Sequence, residues 1–172
     1  MALYRVRQFV LAAAALVQGE GVAPLAIGRL LPPEGVALFY DMPLYDRRHA
    51  LNVLRTLQQQ GHADPDLLAA ALLHDVGKTG SAAGRLRLWH RVLMVLAGAL
   101  VPGLIDRLGR EGGGLVGRAF FVQKHHAELG ADLALKAGCT QATAELIRRH
   151  EMAGVPELDA RGVALRAADA AN

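Results

Sequence analysis

An apolar run ends at His74-Asp75, and Val76-Gly77-Lys78 follows, so the stretch reads Leu72-Leu73-His74-Asp75-Val76-Gly77-Lys78. A packed core has no use for an imidazole, a carboxylate and an ammonium side by side. A divalent ion bound to a phosphate uses all three: imidazole and carboxylate hold the ion, and lysine meets the anion. His-Asp alone is a weak signal. An apolar helix running into His-Asp-x-Gly-Lys is a much stronger one. Its weight then depends on whether other His and Asp residues fall where they complete a site.

The rest of the chain sets the frame. Its 172 residues are 52% hydrophobic, dominated by Ala and Leu, with few aromatics and little strand-like alternation. That composition predicts an all-α fold, one helical bundle over 1–172. Residues 1–43 read as accessory N-terminal helices and 44–172 as the metal-binding core. A formal net charge of +3 is too small to mark a nucleic-acid footprint, and no nucleic acid is expected as a partner. The lone cysteine, Cys139, excludes an internal disulfide and fits a reducing cytoplasm. Arg5 and Arg7 before Phe9–Val17 loosely resemble a signal peptide, but Gln18–Gly21 offers no cleavage site. The apolar stretch Val92–Ile105 is shorter than the ~20 residues that span a bilayer. Both stretches read as buried helices, although the arginines around 86–108 leave membrane-surface contact open.

In chain order, helices are expected at 4–17, Val22–Leu31, Glu34–Asp41 and about Leu44–Gln60, the last ended by Gly61. Asp64-Pro65 is a capping carboxylate followed by proline, and it starts a helix that delivers His74 and Asp75 at its end. A helical segment at 86–108 carries Trp89 and His90, and Arg110–Gly114 reads as a flexible loop. A helix from about Phe120 to Gly138 turns His126 inward with Leu129, Gly130, Leu133 and Ala137, while His125 faces the polar side with Glu128 and Asp132. Thr140 caps the next helix, whose stripe is Thr143, Leu146, Ile147 and His150. Pro156 is expected to open the last helix, with Leu158, Gly162, Leu165 and Asp169 on one face.

His49, His74 with Asp75, His126, His150 and Asp169 thus lie on or beside apolar faces of separate helices. A bland reading needs an independent buried polar exception on each helix, and one metal site explains them all. Imidazole and carboxylate together suit Mn, Fe, Co, Ni or Zn better than Ca, with Mg also admissible. Six candidate ligands exceed what one catalytic ion needs, so one or two ions are expected, with Asp75 as the natural bridge between two.

The order His, His-Asp, His, His, Asp resembles the HD superfamily of metal-dependent phosphohydrolases over about 44–172. The Leu72–Lys78 run, His126-x-x-x-Gly130-Ala131, Ile147–His150 and Ala167-Ala168-Asp169 resemble its HDIG-type branch. The resemblance implies that His49, His74, Asp75 and Asp169 bind one metal and that Asp75, His126 and His150 hold a second. It gives Lys78 a substrate phosphate, and implies hydrolysis of a phosphoester or phosphoanhydride by a metal-activated water. The substrate would be a small phosphorylated molecule, a nucleotide by preference. Arg47, Arg48, Arg148 and Arg149 adjoin ligands and are candidates to neutralise phosphoryl charge. Two departures stand out. Arg149-His150 replaces the His-His pair, and Met152–Pro156 the Gly-Tyr-Pro motif, of relatives that cleave cyclic di-GMP. Lys78-Thr79 stands where alarmone hydrolases carry acidic residues. Two other outcomes are open: a regulatory domain that binds a nucleotide without turnover, and a di-iron oxygenase of the same fold.

Overall fold

A computed structural model describes residues 27–79, 114–151 and 159–172. The described residues are all-α. They form helices α1 (Pro33–Asp41), α2 (Leu44–Gln59), α3 (Pro65–Leu73), α4 (Gly114–Lys136), α5 (Gln141–Arg149) and α6 (Ala160–Ala171), with a short 3₁₀ turn at Val76–Thr79. The expected helices at 4–17 and 86–108, with Trp89 and His90, lie outside the described residues, as does most of the Val22–Leu31 helix. So does nearly all of the loop at 110–114. No helix among the described residues is long and apolar enough to cross a membrane.

The caps follow the sequence closely. The Asp64 carboxylate accepts from the Leu67 N–H at 2.9 Å and starts α3. The Thr140 hydroxyl accepts from the Thr143 N–H at 3.0 Å and starts α5. Each satisfies one of the orphan donors that a helix start leaves. Gly61 follows α2 at φ 86°, a left-handed conformation that favours glycine. Two starts differ from expectation. Pro33 opens α1, since its missing N–H is no loss at a first helical position. The helix bearing Asp169 begins at Ala160 and not at Pro156, because the Asp159 carboxylate accepts from the Gly162 N–H at 2.9 Å.

The centre of the bundle is α3. Every residue from Leu67 to Leu73 is buried, so this helix is apolar on all sides. Leu57 of α2, Ile147 of α5 and Leu165 of α6 are buried in the same core. A carboxylate locks α3 to α5. Asp66 Oδ1 accepts from the Thr140 hydroxyl at 2.5 Å and from the Thr143 hydroxyl at 3.0 Å. The two helices thus start side by side. Each is nine residues long, about 13.5 Å at 1.5 Å per residue. Their ends therefore also meet, and each end is a histidine: His74 and His150.

The inward stripe of α4 is narrower than expected. Val122, His126, Gly130, Ala131 and Ala134 are buried, as is Ala137 just past the helix end, while Leu129 and Leu133 are only half-buried at its edges. Small residues occupy the middle because the Val76–Thr79 turn presses against them. A Cβ on Gly77 would lie 2.0 Å from the His126 carbonyl oxygen and 2.7 Å from the Gly130 nitrogen. The φ of Gly77 is not positive, so the need is for close approach and not for an unusual backbone angle.

Candidate metal centre

His74 is the C-cap of α3 and His150 the C-cap of α5. Each folds its ring back onto its own last turn. His74 Nδ1 lies 2.9 Å from the Ala71 carbonyl, and His150 Nδ1 lies 2.7 Å from the Ile147 carbonyl. A carbonyl only accepts, so both Nδ1 atoms carry the hydrogen and donate it. Nε2 of each is then directed to the common space, the way second-shell bonds orient metal-binding imidazoles. The His74 and His150 rings are 5.2 Å apart. His49 lies 5.2 Å from His74, and His126 lies 5.3 Å from His150.

Two carboxylates knit these rings together. Asp169 Oδ1 lies 2.8 Å from His49 Nε2 and 3.6 Å from His74 Nε2. Asp75 Oδ1 lies 3.8 Å from His74 Nε2, 3.6 Å from His126 Nε2 and 2.5 Å from Lys78 Nζ. The six histidines and aspartates proposed from sequence all converge. They fall into two triads, His49–His74–Asp169 and Asp75–His126–His150, and within each triad the donor atoms lie within 4.8 Å of one another. Asp75 joins the halves, since its Oδ1 is near a ring from each.

The residues fit an ion on three counts. The donors are imidazole and carboxylate, the set that borderline divalent metals take. Bonds of about 2.0–2.2 Å place neighbouring donors about 3.0 Å apart in an octahedron and about 3.4 Å in a tetrahedron, and the separations of 2.8 to 3.8 Å bracket these values. Finally, His74 Nε2 is buried with no hydrogen-bond partner. A core would not leave such an atom unsatisfied without reason.

The electrostatics point the same way. Burial alone would push His74 down, but Asp75 and Asp169 outweigh it and raise it from 6.5 to about 9. Burial alone would raise Asp75, yet Lys78 and the imidazoles of His74, His126 and His49 hold it well below the usual carboxylate range. Asp169 is depressed against its burial by His49 and His74. The two carboxylates demand positive charge here, and without a metal a proton on His74 supplies it. His150 is pushed down from 6.5 to about 4 by burial and by charged His74, which leaves a neutral imidazole.

The sequence did not single out Glu151 or Arg166. Glu151 Oε1 lies 3.5 Å from His126 Nε2, and burial with the nearby Asp75 charge raises its carboxyl. Glu151 sits just after a helix end, where no periodicity predicts its direction. Both residues line an open cleft of about 730 Å³ that reaches His150 and Asp169. Of the arginines offered as phosphate contacts, Arg148 pairs with Glu145 and Asp132, and Arg149 pairs with Glu145. Arg47 donates to the Tyr40 carbonyl at 3.0 Å. Arg48 buries Nε and Nη1 with no hydrogen-bond partner. His125 stacks near Phe121 and lies 3.4 Å from Glu128, on the polar side.

The family model of the HD domain matches residues 47–171. The chain belongs to the HD-domain family. The matched span begins just before His49 and ends just after Asp169, so it encloses every residue of both triads. HD domains bind divalent metals, and the family consists mostly of metal-dependent hydrolases. Comparison with curated proteins and comparison with solved structures each give no match.

Proposed function

We propose that this HD domain is a metal-dependent phosphohydrolase that cleaves a phosphoester or phosphoanhydride bond in a small phosphorylated molecule, a nucleotide by preference. The observation that carries the reading is Asp75 Oδ1, a member of the Asp75–His126–His150 triad that also lies 3.8 Å from His74 Nε2 of the other and is held by the Lys78 ammonium. A purely structural ion needs no lysine among its ligands, whereas phosphoryl transfer needs a cation beside the metal. The HDIG-type resemblance is compatible with this reading.

His49, His74 and Asp169 would hold one ion and Asp75, His126 and His150 a second, with Asp75 able to serve both. When bound, such ions supply Lewis acidity, which acidifies water and offsets charge on phosphoryl oxygens. The chain's own groups do the rest. The Ala71 and Ile147 carbonyls fix the tautomers of His74 and His150, so the donors are set before metal or substrate arrives. Lys78, only 13% exposed, meets a phosphoryl oxygen in a partly desolvated place where its charge counts for more than in water. Mn, Fe, Co, Ni and Zn are the ions this donor set favours.

The test is phosphate release from a nucleotide panel by the Mn-loaded protein. Wild type should turn over at least one member, and Asp75→Ala should lower that rate by about 1000-fold or more. Equal rates for the two proteins would overturn the assignment. Oxygen consumption by the Fe-loaded protein with no phosphate release would replace it with oxygenase chemistry.

A further inference from the structure

We infer that Glu151 is a further ligand of the centre, bound to the ion at His126 until a substrate phosphate displaces it. This rests on the metal centre described above and deepens the phosphohydrolase reading, because it names the ligand that gives way to substrate. Glu151 directly follows His150, the C-cap of α5, and lines the open cleft. Its Oε1 lies 3.5 Å from His126 Nε2. That is long for an N–H···O hydrogen bond, which spans about 2.7–3.2 Å. It is close to the ~3.4 Å between two donors that share a tetrahedral ion. The His126 side chain is fully buried and that of Glu151 is 48% exposed, so Glu151 reaches His126 from the cleft side.

Without a cation this is a poor place for a carboxylate. Burial raises its carboxyl, Lys78 opposes the rise, and the charges of Asp75 and Asp169 add to it. The negative end of α5 also lies directly before it. A divalent ion among these groups offsets both repulsions. Charge balance in the loaded site points the same way. Asp75 and Asp169 neutralise only part of the charge of two divalent ions, and Lys78 adds to the surplus. Surplus charge in a buried place is costly, and the Glu151 carboxylate reduces it. A phosphate dianion reduces it further and can take over the position. Glu151 is also the ligand best able to leave. The Ala71 and Ile147 carbonyls hold His74 and His150, Asp169 holds His49, and Lys78 holds Asp75. Among the described residues Glu151 has no such anchor, and its half-exposed chain turns on three bonds and can swing into the cleft.

Titration of the full chain with Mn²⁺, followed by the EPR signal of the unbound ion, tests this without turnover. Glu151→Gln keeps the size of the side chain and removes its charge. It should weaken one bound Mn²⁺ by about 10- to 100-fold and leave any other within about threefold. Glu151→Asp should recover part of the loss, because a carboxylate remains on a shorter chain. The second measurement is calorimetry with methylphosphonate at saturating Mn²⁺. The probe should bind Glu151→Gln about 3- to 10-fold more tightly than wild type, since it no longer displaces a ligand. An unchanged melting temperature of the metal-free variant, expected for a half-exposed side chain, separates ligand loss from misfolding. The proposal is overturned if Glu151→Gln takes up Mn²⁺ like wild type, or if methylphosphonate binds the variant no more tightly. Both expected shifts without phosphate release from any nucleotide would instead sink the hydrolase reading and leave Glu151 its place on the ion.

Discussion

The ends of α3 and α5 are two versions of one device with opposite electrostatic outcomes. Each helix is nine residues long, starts at the Asp66 clamp, ends in a histidine and bends that ring onto the carbonyl three residues back. Yet His74 is raised to about 9 and His150 lowered to about 4. Backbone geometry is the same in both, so it does not set the charge. Burial lowers both; at His74 the charges of Asp75 and Asp169 outweigh it, whereas at His150 the charge on His74 adds to it. A metal centre profits from both states. One site attracts a cation, and the other offers a neutral ligand at any pH above about 4.

The two ends are also braced differently, and the largest expected effect lies there. Only the α3 end is followed by a turn pressed onto the α4 backbone. Gly77→Ala drives a Cβ into the His126 carbonyl and the Gly130 nitrogen, which a rigid helix does not yield. Thermal or denaturant unfolding should show a loss of about 3 kcal/mol or more, with metal affinity falling as His126 shifts. An unchanged melting temperature would mean the contact is looser than described.

The next contrast separates the two histidines directly. In the metal-free protein, His74→Gln removes the cation that Asp75 and Asp169 require and should cost about 3 kcal/mol near pH 6. His150→Gln replaces an uncharged ring and should cost less than about 1 kcal/mol at pH 7. Their pH dependences run in opposite directions. A histidine raised to about 9 stabilises the fold fully below about pH 6.5, and that contribution is lost as pH rises through about 9. A histidine lowered to about 4 adds nothing above pH 6.5 and destabilises as pH falls from there toward 4. The stability gap between wild type and His74→Gln should therefore shrink from pH 6 to pH 9. A gap independent of pH would contradict a charged His74.

A smaller effect than those of Gly77→Ala and His74→Gln concerns the shared start of the helices. Asp66→Ala strips two hydroxyls of their acceptor and should lower stability by about 2 kcal/mol. Because Asp66 sets the register of α5 on α3, the variant should also weaken metal binding, although it lies at the far end of both helices. Full metal affinity at reduced stability would show that His150 is placed by core packing alone.

Much of this was readable beforehand, for reasons particular to each residue. His126 and His150 declared themselves by helical spacing to apolar neighbours, and Asp64 and Thr140 by capping chemistry. The site's core was legible because its ligands sit on regular helices or directly at their ends, where position fixes direction. What was not legible depends on tertiary approach. Nothing in the sequence tells that Asp66 binds Thr140 and Thr143, 74 and 77 residues away. The demand on Gly77 comes from a backbone it meets only after folding. Arg148 and Arg149, which adjoin a ligand in sequence, are taken up by Glu145. Adjacency along a helix turns a side chain by about 100°, so neighbours of a ligand usually face elsewhere.

The central claim is that Asp75 stands between two triads which together form one divalent-metal centre. Crystals soaked in Mn²⁺, with anomalous differences recorded near the manganese edge, test it most directly. The account predicts one or two peaks bonded to Asp75 and flanked by His49, His74 and Asp169 on one side and by His126 and His150 on the other. A map with no peak there, or with manganese bound only elsewhere on the protein, would contradict it.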